Sequence, residues 1–210
     1  MTAGAAPLWI RIVRFGFAAL GILALVWIPI RNLDESAFSA ADYFSYFTIQ
    51  SNVLGVIVLL IGAVRDPRDR RWQAVRGATT LYLLITGVVY AVLLAKVDVM
   101  LTDKWINDVL HRILPAVVVL DWILVPVALG ITRKLIGTWL IYPAVYGVYT
   151  LIRGPIVDWY PYPFLDPRQQ GYVSLIIGLV ILSGVFALLA VSVVSLGALI
   201  TRWREPAASE

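Results

Sequence analysis

The 210-residue chain has no cysteine, a single histidine (His111) and only 14% charged residues. A soluble domain carries about 25% charged and about 45–50% apolar residues. Here 60% are hydrophobic and the mean hydropathy is +0.85. The lack of cysteine excludes disulfides, thiolate metal sites and cysteine nucleophiles. One histidine excludes multi-histidine metal centres and every HExxH arrangement. No GxSxG, Walker or GxGxxG motif occurs. The net charge of +4 comes from basic residues that punctuate apolar runs instead of forming a solvated patch. Nucleic acid is therefore not an expected partner. The composition is that of an integral membrane protein.

A spanning helix needs about 20 mostly apolar residues. Six segments approach this length: 9–30, 43–64, 76–95, 107–129, 136–152 and 172–201. The expectation is an all-α fold, one six-helix transmembrane domain over 1–210. The first segment holds Arg11 and Arg14 and lacks a cleavage signal after it, so it reads as a retained helix. Eleven of the 17 basic residues fall on one side: Arg11, Arg14, Arg65, Arg68, Arg70, Arg71, Arg76, Arg133, Lys134, Arg202 and Arg204. Arg31, Lys96, Lys104, Arg153 and Arg168 fall on the other. The positive-inside rule then places both termini in the cytoplasm. Trp27, Trp105 and Trp159 mark the outer interface, and Trp9, Trp72, Trp139 and Trp203 the inner one. The basic run from Arg65 to Arg76 is a topology signal that also suits anionic lipid.

Polar groups inside spans are costly and usually face a cavity or a partner. The second segment carries Thr48, Gln50, Ser51 and Asn52; the fourth carries Asn107, Asp108, His111, Arg112 and the deeper Asp121. Counted from the outer ends, Thr48 lies roughly 8 Å down and His111 roughly 6 Å down, at about 1.5 Å per residue. The two can meet if their helices are neighbours. Imidazole in contact with a hydroxyl activates it as a nucleophile. Asn107 and Asp108, at i−4 and i−3, can hold the far ring nitrogen. Gln50, Ser51 and Asn52 are candidate oxyanion donors, and the helix angles favour Ser51 and Asn52.

Plainer readings stand beside these. A threonine in a membrane helix often bonds its own backbone or a neighbouring helix. A lone histidine can be structural or a pH-sensitive contact. Asp121 must be paired or protonated, with an Arg, a Lys, Trp122 or a tyrosine as partner. Tyr142, Tyr146, Tyr149 and Arg153 form one stripe of the fifth helix. Either they line a pocket for an acyl chain whose carboxylate meets Arg153, or they pack an interface from which Arg153 snorkels. The Pro- and aromatic-rich segment 158–164 is either a lid or an interfacial anchor.

The stretch Trp105–Ile106–Asn107–Asp108–Val109–Leu110–His111, taken with Tyr46–Phe47–Thr48, resembles the androgen-induced and androgen-dependent membrane proteins. The likeness runs from about Arg14 to Thr201 and looks like a microbial branch of that group. It departs at Val109, at Asp108 (where the family often has another histidine) and in the polar run after Thr48. The resemblance implies a six-span threonine hydrolase of fatty acid esters of hydroxy fatty acids, with Thr48 and His111 both required. It implies no metal and no organic cofactor. A bacterial plasma membrane, with the site toward the outer leaflet, is the expected location. Expected partners are a lipid or fatty-acid ester and the surrounding membrane lipids; oligomeric state is left open. From a different class, a transporter or lipid-binding protein would use Asp121 and His111 as coupling groups. The lack of an inverted repeat or of paired broken helices weighs against it. A structural or assembly subunit is the third reading.

Overall fold

In the computed structural model, residues 6–36, 38–94 and 103–204 are described. Ala95, Lys96 and Asp98 lie outside the described residues. The chain folds into helices α1 (Leu8–Arg31), α2 (Ala40–Tyr43), α3 (Phe47–Val64), α4 (Arg70–Val89), α5 (Lys104–Asp108), α6 (Leu114–Leu124), α7 (Arg133–Val157) and α8 (Pro167–Arg204). No strand occurs among the described residues. The π-helical stretch Tyr90–Leu94 prolongs α4, and another, Val109–Ile113, joins α5 to α6.

Among the described residues, five helices are long and apolar enough to cross a membrane: Leu8–Arg31, Phe47–Val64, Arg70–Leu94, Arg133–Val157 and Pro167–Arg204. The segment expected over 107–129 is instead divided among α5, the π stretch and α6, and it stops at Leu124. Two prolines explain this. Pro115 lacks an N–H and its ring crowds the carbonyl of His111 one turn back, which the wider π turn relieves. Pro126 drives the preceding Val125 out of the helical region, to φ −122° and ψ 69°. The fifth helix is longer than 136–152, because Pro143 and Pro155 are absorbed within α7. Side-chain caps set three starts: Ser39 accepts from the Asp42 N–H at α2, Asp69 from the Trp72 N–H at α4, and Thr132 from the Leu135 N–H at α7. Gly171, at φ 79°, kinks α8 near its start.

Helix α4 runs between two apolar cores. One joins α1, α3 and the 106–118 stretch through Ala18, Leu59, Leu83 and Leu114. The other joins α4, α6, α7 and α8 through Leu81, Trp122, Trp139 and Val194. Trp139, expected at the inner interface, is only 2% exposed. It packs where Gly77 has no side chain; a Cβ there would meet its ring at 2.5 Å.

Beyond the C-terminus of α3, a buried ion cluster ties three helices together. Arg14 donates to Asp121 at 2.6 Å and to Asp66 at 2.9 Å, and Arg76 donates to Asp121 at 3.0 Å. Both guanidiniums are nearly inaccessible, at 2% and 3% exposed. Each cation needs a carboxylate within reach to offset its lost hydration.

Between α7 and α8 the segment 158–166 folds back over the N-terminus of α3. Tyr160 lies against Gly154, where any side chain would collide with its ring. Arg168 holds the segment's far end, pairing with Asp166 at 2.9 Å and with Asp158. The Arg168 guanidinium keeps the Asp166 carboxyl below the usual carboxylate range. A depressed carboxylate stabilises above its unfolded pKa, about 3.9, and that contribution is lost as pH falls through its lower folded value. Arg168→Gln is expected to move this acid loosening up to the ordinary carboxylate range. Limited proteolysis of the 158–166 segment against pH reads the shift; an unchanged profile would contradict it.

Candidate active site

Thr48 is the second residue of α3, with Tyr46 as N-cap. It therefore sits in the first turn, not five residues into the helix as expected. The first N–H groups of a helix have no partner within it. Tyr46 offers no side-chain cap; two tyrosines from other elements supply the acceptors. Tyr146 accepts from the Phe47 N–H and Tyr162 from the Thr48 N–H, each at 3.2 Å. The positive end of the α3 dipole lies at the Thr48 hydroxyl, where it favours developing negative charge.

His111 projects from the π stretch, and its Nε2 lies 3.2 Å from Thr48 Oγ1. Its Nδ1 lies 3.1 Å from the backbone carbonyl of Asn107. A carbonyl only accepts, so Nδ1 carries the proton and Nε2 is the bare acceptor. The Thr48 hydroxyl must then donate to Nε2. Its oxygen lies 3.2 Å from the Tyr162 hydroxyl as well. With the Thr48 proton committed, Tyr162 is the donor in that contact. The bonds thus run in one sense, from Thr48 N–H to Tyr162, to Thr48 Oγ1, to His111, with the far side of the ring fixed by Asn107. Tyr90 stacks on the imidazole at 4.4 Å and 26°, and the Asn107 amide donates to the Tyr90 hydroxyl at 2.5 Å.

The expected supporting residues are placed less simply. Asn107 fixes the ring with its main chain rather than its side chain. Asp108 does not touch His111; it pairs with Arg112 at i+4. Ser51 and Asn52 are buried beneath Thr48, but their donors are occupied. Ser51 Oγ reaches the Thr48 carbonyl at 3.1 Å and Thr86 Oγ1 at 2.8 Å. The Asn52 amide donates to the carbonyls of Thr48 at 2.8 Å and Leu110 at 3.0 Å. This amide joins the Thr-bearing and His-bearing helices directly below the pair.

A cavity of about 470 Å³ opens beside Thr48, walled mostly by apolar side chains of α4, α7 and α8. Thr48, Thr86, Tyr146 and Tyr162 cluster as one polar end, and Ser183 of α8 is a further polar lining residue. Leu140, Leu151, Leu179 and Phe186 are part of the apolar remainder. His111 contacts Thr48 from outside this wall. Of the expected substrate-binding stripe, Tyr146 alone lines the cavity. Tyr142 donates to Gln50 at 2.8 Å, and the Tyr149 hydroxyl bonds Ser45 at 2.7 Å. Arg153 pairs with Asp42 at 2.5 Å and lies over the Trp159 ring. These groups pin α7 to the α2–α3 junction. Asp121, also expected among the substrate contacts, is held by Arg14 and Arg76 beyond the opposite end of α3 and does not line the cavity.

Tyr162 and Tyr90 are site residues that the sequence reading did not single out. Burial pushes the Tyr162 phenol up to about 12, so it remains a proton donor at neutral pH. A local signal for it exists: Tyr162 lies between Pro161 and Pro163, and a residue before proline is forced to an extended backbone. Its φ of −136° and ψ of 134° are of that kind. No family model, curated protein or solved structure matches the chain.

Proposed function

We propose that this chain is an intramembrane hydrolase of lipid esters, with Thr48 as nucleophile and His111 as base. In this reading it spans the membrane six times, with both termini in the cytoplasm. The α5–α6 stretch is the sixth span, and the site faces the outer leaflet of a bacterial plasma membrane. The uneven distribution of Lys and Arg supports that orientation. The resemblance to the androgen-induced and androgen-dependent threonine hydrolases supports the choice of an ester of a fatty acid as substrate. The single observation that carries the chemistry is the one-way run of hydrogen bonds, which leaves His111 Nε2 bare against the Thr48 hydroxyl.

Thr48 Oγ1 attacks the ester carbonyl as its proton passes to His111 Nε2, and the carbonyl π pair moves to oxygen. The tetrahedral adduct collapses with loss of the alcohol, which takes the proton from Nε2. Water then attacks the acyl-threonine while giving a proton to Nε2, and Thr48 leaves with that proton restored. The apolar cavity accommodates the acyl chain, with its carbonyl at the polar end. Transport coupled through Asp121 is the less supported reading, because two guanidiniums already neutralise that carboxylate.

The cavity provides the test. Gly147 lies in its wall, and a Cβ built there meets nothing within 4 Å. Gly147→Phe is expected to put a ring into free space without disturbing the fold. Purified protein should hydrolyse long- and short-chain p-nitrophenyl esters. The variant should lose at least about tenfold in kcat/KM on the long chain while keeping the short-chain rate, as one or two displaced methylenes are worth about 1–3 kcal/mol. No hydrolysis of either ester by the unaltered protein would overturn the proposal.

A further inference from the structure

The geometry points to Tyr162 as the oxyanion donor of this site, its hydroxyl turning from Thr48 Oγ1 to the substrate carbonyl oxygen as the bond to carbon forms. This assignment rests on the Thr48–His111 reading and extends it to a residue on the 158–166 segment.

Three observations carry it. Tyr162 is the cavity-lining group whose proton is directed at the reacting oxygen itself, at 3.2 Å. Other polar donors around Thr48 are already used. Ser51 is bound to Thr48 and Thr86, the Asn52 amide to two carbonyls, and Thr86 Oγ1 donates to the Tyr82 carbonyl at 3.0 Å. The Thr48 N–H is spent on Tyr162. Finally, the phenol is held rigidly: 7% exposed, stacked on Phe164 at 5.2 Å and 11°, and edge-on to Tyr46 at 5.7 Å. A preorganised donor in a dry site is what oxyanion stabilisation requires.

The chemistry follows from the direction of the bonds. In the resting site Thr48 Oγ1 accepts the Tyr162 proton while giving its own to His111. On attack, the lone pair that accepted from Tyr162 becomes the new C–O bond, and the resulting ester-type oxygen is a poor acceptor. The negative charge appears one atom beyond the carbon, on the former carbonyl oxygen. The Tyr162 O–H rotates about its C–O bond to donate there; no proton is transferred, so the balance of the reaction is unchanged. During deacylation the same donor serves the second oxyanion and then returns to Oγ1 as Thr48 departs. The 158–166 segment thus contributes a group to the site as well as covering the N-terminus of α3.

Tyr162→Phe removes the hydroxyl and keeps the stacked ring. It is expected to lower kcat for p-nitrophenyl ester hydrolysis by about 10²-fold, the range for loss of one oxyanion donor, with little change in KM. A second variant carries 3-fluorotyrosine at 162, whose more acidic phenol ionises earlier and ceases to donate. Its kcat should fall on an alkaline limb displaced to lower pH than in the unaltered protein. A kcat within threefold for Tyr162→Phe, or an unshifted limb for the fluorinated protein, overturns the assignment. Thr48→Ala in the same series separates the two claims. If it keeps the parent rate, the nucleophile reading itself fails; if it is inactive while the Tyr162 variants are unaffected, only the role of Tyr162 fails.

Discussion

Thr48→Ala is expected to reduce ester hydrolysis by about 10³-fold or more, and His111→Ala by a comparable factor. Removal of a member of a nucleophile–base pair commonly costs at least this much, and the two losses should not add, because the groups act as a unit. The Thr48 side chain makes two polar contacts, with His111 Nε2 and Tyr162. Its backbone carbonyl, not its side chain, holds Ser51 and Asn52. Alanine therefore removes the hydroxyl and leaves the helix junction intact, so thermal stability in detergent should change by no more than about 1 kcal/mol. Thr48→Ser should retain measurable turnover, since the hydroxyl is kept. A Thr48→Ala protein with the parent rate would place the nucleophile elsewhere.

Asp121→Ala is expected to produce the largest loss of stability of any single change at the ion cluster. It removes the carboxylate between Arg14 and Arg76, which are 2% and 3% exposed. Breaking a buried pair by deleting one partner costs about 3–5 kcal/mol, because the other charge is left buried without compensation. Asp66 and the Gly62 carbonyl retain Arg14, but Arg76 is left with Gln73, carbonyl oxygens such as that of Val125 and the face of Trp122, none of them an anion. The midpoint of thermal unfolding should drop sharply. At temperatures where the variant stays folded, its turnover per active molecule should match the parent, since Asp121 lies beyond the end of α3 opposite Thr48. Loss of turnover without loss of stability would instead give the carboxylate a part in the reaction.

These residues also show which parts of the architecture the sequence carries. Apolar run lengths locate the helical segments, because the period and length of hydrophobic residues are local properties. The helix breaks were less legible. Pro126 ends α6 at Val125 through a nearest-neighbour clash, which the run of Val and Leu around it conceals. Pro143 and Pro155 do not break α7 at all. Depth counting puts Thr48 and His111 at similar levels, and they lie 3.2 Å apart. Thr48 nevertheless lies in the first turn of its helix, because α3 begins at Phe47, after the separate short helix α2.

The surroundings of the pair depend on which helices touch. Asn107 is at the right spacing to fix the imidazole, yet the π turn presents its carbonyl instead of its amide. Ser51 and Asn52 have the chemistry of oxyanion donors, but both bond back to the Thr48 carbonyl, a choice that periodicity cannot foresee. Tyr162 comes to Thr48 from 114 positions away, through a turn after α7. Asp121 reads as an unusual mid-span charge until Arg14 and Arg76 are brought to it by folding.

Whether Thr48 is the nucleophile is read most directly from the mass of the peptide containing Thr48 after the purified protein has reacted with an alkyl fluorophosphonate. One phosphonyl adduct is expected, on Thr48, formed in the unaltered protein and absent from His111→Ala. An adduct on another hydroxyl such as Ser51 or Ser183, or active hydrolysis with Thr48 unmodified throughout, would contradict it.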